Sequence, residues 1–198
     1  MSKPKTFIFI GRSGCGKGTQ AALLETYVKE RDIKTHIVHL ETGALFREFF
    51  KGSSFSHRLA HDIYERGGLQ PEFLTVHLWS NFFVKYMKDD VHLIIDGTPR
   101  KINEAHILDT ALSFYGREKP YVIYLNVSRA WAEKRLLARH REDDTKKDIT
   151  SRLDWFDTDV VPALDFYRTN ARYHFIDVNA EREIQDIHAD IVKQCGLS

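Results

Sequence analysis

The stretch Thr6-Phe7-Ile8-Phe9-Ile10-Gly11-Arg12-Ser13-Gly14-Cys15-Gly16-Lys17-Gly18-Thr19-Gln20 decides the fold. Thr6–Ile10 is a short apolar, β-rich run that suits a strand buried on both faces. Glycines at 11, 14 and 16 follow at once, and they let the backbone curl into a nest whose N–H groups converge on an anion. A helix beginning near Lys17 adds its positive end, and the Lys17 ammonium reaches a bound phosphate. The run matches G-x-x-x-x-G-K-[ST] except that Gly18 separates Lys17 from Thr19. Strand, glycine loop, helix and lysine in this order describe a nucleoside triphosphate site. Its candidate residues are Gly14, Cys15, Gly16, Lys17, Gly18 and Thr19.

Outward from this loop, four more apolar runs read as strands: His36–Leu40, His92–Ile95, Tyr121–Leu125 and Tyr173–Ile176. The segments between them carry helical spacing. Ile149, Leu153, Phe156, Val160, Leu164 and Tyr167 line one face, with Pro162 expected to kink it. Leu74, Leu78, Phe82 and Met87 mark another helix, with Pro71 as a first-turn proline. Strands alternating with helices imply parallel pairing and right-handed crossovers, hence an α/β, three-layer sandwich around a five-stranded parallel sheet. The stretch from about 41 to 88 lacks a strand and is expected to form a helical insertion within one domain spanning 1–198.

Composition excludes several classes. The 198 residues are 42% hydrophobic and 29% charged, with a formal net charge of +1 and a mean hydropathy of −0.40. No global charge calls for a nucleic acid or an anionic membrane, and no apolar run approaches the ~20 residues of a membrane span. Two cysteines make neither a disulfide framework nor a four-thiolate zinc site. A cytoplasmic chain without structural zinc, monomeric or a small homo-oligomer, is expected.

Further motifs narrow the reading. Gly16-Lys17-Gly18-Thr19-Gln20, Thr42-Gly43-x-x-x-Arg47, Asp96-Gly97-x-Pro99-Arg100 and Arg141-x-Asp143-Asp144, continued by Pro162-x-x-x-x-Tyr167, resemble the adenylate kinase family of nucleoside monophosphate kinases. The resemblance runs in order from Ile8 to about Asp177. It implies a P-loop core, a helical monophosphate-binding part over about 41–88, a lid at about 139–145, and reversible phosphoryl transfer from Mg-ATP. Such a transfer brings two anionic chains together and relies on positioning and fixed positive charge. By resemblance, Arg135 and Arg139 lie over the donor, and Arg141 and Arg152 converge on the transferred group. Arg47 and Arg100 hold the acceptor phosphate. The expected catalytic set is Lys17, Arg100, Arg141 and Arg152, and the expected acceptor site comprises Thr42, Arg47, Leu69, Gln70, Pro71, Gly97, Thr98, Pro99, Arg100 and Glu104. Asp96 is expected to anchor Mg²⁺ through water, while Asp143 and Asp144 orient the lid.

The sequence leaves the family pattern at three places. Only His140 separates Arg139 from Arg141, so the lid is minimal, and poor exclusion of water with some ATP hydrolysis is expected. Ala44 stands where the family has a carboxylate after Thr42-Gly43. Glu104 occupies the position of the family's base-reading Gln. An ionised carboxylate accepts but cannot donate, which mismatches adenine N1 and suits the N–H edge of guanine. Asn103 and Gln70 each offer an amide that could serve adenine instead. AMP is the favoured acceptor, with GMP, CMP and UMP as alternatives; a non-catalytic nucleotide sensor is the reading of another class.

Other signals are set aside. His57-x-x-x-His61 lacks a convincing third ligand, and His36 and His39 project to opposite faces of a strand. Cys15, near a helix N-terminus, is expected to carry a somewhat acidified, modifiable thiol. Phe49-Phe50 and Phe82-Phe83 read as core or hinge packing. Four carboxylates interleave the seven Lys/Arg of 129–147, against a nucleic-acid patch.

Overall fold

The computed structural model describes residues 3–32, 35–139 and 145–197. Five strands form one parallel sheet: β1 (Thr6–Gly11), β2 (His36–Glu41), β3 (Val91–Asp96), β4 (Tyr121–Asn126) and β5 (His174–Asn179), in the spatial order β2-β3-β1-β4-β5. The expected strands are all present, each within about three residues. Helices α1 (Lys17–Arg31), α2 (Thr42–Phe49), α3 (Phe55–Glu65), α4 (Glu72–Tyr86), α5 (Ile102–Phe114), α6 (Arg129–Arg139), α7 (Lys146–Trp155), α8 (Val161–Thr169) and α9 (Ile184–Gln194) complete the described residues. Among these, no helix is long and apolar enough to cross a membrane.

The period-2 alternation of β1 explains the layers. Phe7 and Phe9 enter one core cluster with Leu24 of α1, Leu136 of α6 and Ile191 of α9. Ile8 and Ile10 enter the other with Trp79 of α4, Leu108 of α5 and Leu164 of α8. Helices therefore cover both faces, as a parallel sheet requires. Because β1 lies between β3 and β4, the chain departs from it to opposite sides. The carboxyl ends of β1 and β3 then frame a crevice where ligands of such sheets bind. Phe9 pairs with Asp96, so β1 runs two residues past the end of β3 before the glycine loop begins.

One proline reading needs correction. Pro71 is the residue capping α4 rather than its first helical residue. Ahead of Pro162 the chain makes a π-helical turn, Phe156–Val160, and the Val161 N–H bonds five residues back to Phe156. The widened turn absorbs the missing proline donor, so α7 and α8 join through a π bulge. It also splits the apolar stripe: Ile149 and Leu153 belong to one core cluster, and Phe156, Val160, Leu164 and Tyr167 to the other.

Candidate active site

The loop after β1 is shaped by what its glycines exclude. Gly14 (φ +86°) and Gly16 (φ +96°) are left-handed, and a Cβ on Gly14 would lie 2.9 Å from Leu136 Cγ. Gly16 caps α1, whose first turn carries no acidic residue, so the amino end of the helix is electrostatically open to an anion. Lys17 Nζ folds over the loop, donating to the carbonyls of Gly11 (2.7 Å) and Arg12 (3.0 Å). Arg12 turns away, its guanidinium pairing with Asp157 at 2.7 Å and lying 4.4 Å from the Phe156 ring centre. Cys15 overturns its expectation. Its side chain is 2% exposed and packed in the core, and burial pushes the thiol up despite the nearby Lys17 ammonium.

A cleft of about 920 Å³ opens in front of this loop. Gly14, Gly16, Lys17, Gly18 and Thr19 line one side. Guanidiniums come from four other places: Arg47 on α2, Arg100 after β3, Arg135 on α6 and Arg152 on α7. Arg100 Nε donates to the Gly97 carbonyl at 2.8 Å, and its guanidinium lies 5.4 Å from the Trp155 ring centre. Burial pushes its pKa down, opposed by Glu104 and Asp96. Arg135 lies 4.8 Å from the ring of Trp131. Asp96 and Glu41 supply negative charge, and Arg47 pairs with Glu41 at 2.7 Å. Asp96 is 8% exposed; burial raises its pKa while Lys17 pulls it back. A Cβ at Gly18 would stand 3.5 Å from Asp96 Oδ2, which places the start of α1 directly against that carboxylate.

Several expected acceptor-site residues take supporting places. Thr42 is buried and its hydroxyl has no hydrogen-bond partner among the described residues. Leu69 and Pro71 flank Gln70 without lining the cleft. Thr98 and Pro99, joined by a cis peptide bond, are buried under it, Pro99 lining a separate pocket of about 60 Å³. Glu104 departs most from expectation. It is 1% exposed, and its Oε2 accepts from the Arg100 backbone N–H (2.8 Å) and the Thr98 hydroxyl (3.2 Å). The carboxylate braces the 97–100 segment instead of facing a base. The Asn103 amide donates to Glu72 at 3.0 Å. His57, set aside as a ligand, caps α3 through Ser54. Arg141, Asp143 and Asp144, and the side chain of Arg139, lie outside the described residues.

Sequence reasoning missed an aromatic wall. Phe46, Phe50 and Tyr64 line the cleft beside Gly67, Gly68 and Gln70. The Phe46 and Phe50 rings are 5.9 Å apart and the Phe50 and Tyr64 rings 5.0 Å. Trp155 lines the cleft as well. No local motif marks these four; Trp155 follows Arg152 by one helical turn, a weak signal that the two share a face.

Comparison with known proteins decides what this cleft belongs to. The family model described as Adenylate kinase matches residues 9–172. The chain belongs to the adenylate kinase family. Among its relatives, the adenylate kinase of Prochlorococcus marinus (strain AS9601) is 32% identical over 187 residues, covering 94% of this chain and 96% of that protein. The adenylate kinase of Corynebacterium diphtheriae is 32% identical over 191 residues, covering 96% and 98%. Human adenylate kinase isoenzyme 5 is 31% identical over 192 residues, covering 94% of this chain and 32% of that longer protein. The cleft brings together the phosphate loop, the Asp96 carboxylate and four of the arginines that the sequence motifs singled out, Arg47, Arg100, Arg135 and Arg152.

Proposed function

We propose that this chain is an adenylate kinase, transferring the terminal phosphoryl group of Mg-ATP to AMP and the reverse, with ADP as the product of both partners. One observation carries the reading: Lys17 and four guanidiniums, drawn from five separate stretches of chain, line one cleft. These five cations outnumber the two carboxylates on the cleft, Glu41 and Asp96, and two phosphate chains meeting end to end would supply further negative charge. Lys17 and the loop N–H groups hold the donor phosphates, with Arg135 above them. Arg47 and Arg100 hold the acceptor phosphate, and Arg152 offsets charge that develops during transfer. Because Arg100 is held to Gly97 and Glu104, its positive charge is in place before substrate arrives, which lowers the reorganisation needed in the transition state.

The residues present fit a magnesium ion brought in with the triphosphate. Mg²⁺ takes few protein ligands and keeps its waters; the Asp96 carboxylate, with Thr19 and Glu41 also on the cleft, offers oxygen donors beside the phosphate loop. Bound there, the ion would neutralise phosphate charge and orient the donor.

Initial rates of transfer from Mg-ATP to AMP, GMP, CMP and UMP, with Lys17→Ala as the blank, test the proposal. Turnover with AMP well above the other three is expected. Preference for another base would move the chain to a different nucleoside monophosphate kinase, and silence with all four would overturn an enzymatic reading.

A further inference from the structure

An arginine that grips a phosphate must be held in place without its N–H fork being occupied. Arg100 Nε donates to the Gly97 carbonyl, and no other hydrogen bond or ion pair engages the guanidinium among the described residues. Its remaining N–H groups are therefore left for a ligand. A ring supports the guanidinium instead. The Trp155 ring centre lies 5.4 Å from it, inside the roughly 6 Å over which an indole face attracts a cation. A carboxylate in that place would take up the fork and have to be displaced by substrate, whereas a ring attracts the charge and takes no N–H. Arg152, one helical turn before Trp155 on α7, works against the charge on Arg100, and the ring offsets part of that repulsion. Trp155 also lines both the main cleft and the small pocket beside it, in each case with Ser13, Lys17, Gly97 and Arg100. It thus stands where the phosphate loop meets the segment after β3. It is the last residue of α7 before the π turn, and its neighbour Phe156 meets Arg12 of the phosphate loop. Two consecutive aromatic residues therefore support one arginine on each side of the site.

We infer that Trp155 is a positioning residue for phosphoryl transfer, its indole ring holding the Arg100 guanidinium and leaving the N–H fork free for the acceptor phosphate. This rests on the adenylate kinase reading above, in which Arg100 holds that phosphate. Trp155 acts through Arg100 and not on the reacting atoms. A long side chain held before AMP arrives needs less ordering when AMP binds. Removing the ring therefore weakens use of the acceptor and leaves the donor side, built on the phosphate loop and Arg135, largely as it was. Because Trp155 and Arg152 share α7, one helix supplies a charge to the transferred group and sets the arginine that grips the acceptor.

The test measures kcat and KM for AMP and for Mg-ATP in the full chain. Trp155→Leu is expected to lower kcat/KM for AMP about tenfold, while KM for ATP changes by less than about twofold. Trp155→Phe keeps a ring and should stay within about threefold of the wild type. Ring-fluorinated tryptophans inserted at position 155 form a second series, which decides the matter if the leucine variant fails to fold. Each added fluorine weakens the negative face of the ring with little change of shape, so kcat/KM for AMP should fall stepwise while Tm holds. A flat series overturns the inference, because packing alone is indifferent to the charge of the ring face. So does a Trp155→Leu variant that matches the wild type or impairs ATP and AMP alike, or a Trp155→Phe variant as impaired as the leucine one. No transfer to AMP by the wild type would instead remove the adenylate kinase reading, and this inference with it.

Discussion

Arg12 Nη2 stands 2.7 Å from Asp157 Oδ1, a bond between the phosphate loop and the π turn that precedes α8. Arg12 also donates to the Val127 carbonyl at 3.3 Å, so one guanidinium gathers three parts of the chain under the loop. The π turn is what presents Asp157 and the Phe156 ring to it. An arginine in a phosphate loop invites a role with phosphate; here it holds the shape of the loop from behind.

This pair gives an acid-sensitive contribution to stability. The Arg12 hydrogen bond holds the Asp157 carboxyl below its ordinary value of 3.8. The folded protein then binds that proton less readily than the unfolded chain, so the stabilisation is complete above the unfolded value and is lost as pH falls through the folded one. Asp157→Asn should cost about 1 kcal/mol or less at neutral pH, because the carboxylate is partly exposed and screened. Thermal melts of both proteins from about pH 2 to pH 7 should show their Tm values converging at the acid end. A gap that stays constant across the range would rule out the ion pair as its source.

Glu104 should behave in the opposite sense. Burial raises its pKa above the ordinary 4.5, although the hydrogen bonds from Arg100 and Thr98 work against the shift. A carboxyl that holds its proton more tightly when folded makes stability fall as pH rises from 4.5 through the folded value. Glu104→Gln keeps an oxygen able to accept both bonds and should abolish that slope. Glu104→Ala leaves two donors unpaired and should cost roughly 1–3 kcal/mol, with kcat falling as Arg100 loses its brace. Urea unfolding at pH values from about 4 to 7 checks both, and an unchanged slope in the glutamine variant would count against the assignment.

The contrast between Gly16-Lys17 and Glu104 shows what a sequence makes legible. The loop could be read because its chemistry is local: an apolar run, glycines at fixed offsets and a lysine one turn away specify both backbone and ligand. The five strands were legible for the same reason, as short runs whose two faces must both be buried. Glu104 could be placed at the right position but not oriented, since its direction depends on Arg100 N–H and Thr98 Oγ, groups presented by a segment the sequence does not fold on paper. Cys15 was misread because residues far away in sequence, Leu125 and Leu136 among them, join it in one buried core cluster. Phe46, Phe50, Tyr64 and Trp155 meet at the cleft only through tertiary packing.

Neither thiol should react in the native protein. Cys15 and Cys195 are 2% and 0% exposed, and burial pushes Cys195 up to about 12. Thiolate is the reacting form, so a disulfide reagent at pH 8 should titrate close to zero groups in the folded chain and two after denaturation. Rapid modification of one thiol in the native state would revive an accessible, acidified Cys15.

Lys17 and Arg135 should separate in kinetics. Lys17 is threaded back onto the loop carbonyls and lies beside Asp96, and under the proposed function it acts at the transferred phosphoryl group. Arg135 rests against Trp131 on the rim of the same cleft, where it can grip donor phosphates in both ground and transition states. A group that acts mainly in the transition state lowers kcat when removed, and one that binds both states equally raises KM. Lys17→Ala should therefore lower kcat by about 10²–10³-fold. Arg135→Ala should raise the KM for ATP with a smaller change in kcat, and the effect should shrink at high salt, because a rim charge is screened. Initial rates against ATP at about 0.05 and 0.5 M salt distinguish the two. Equal losses of kcat in both variants would mean that Arg135, too, acts on the transferred group.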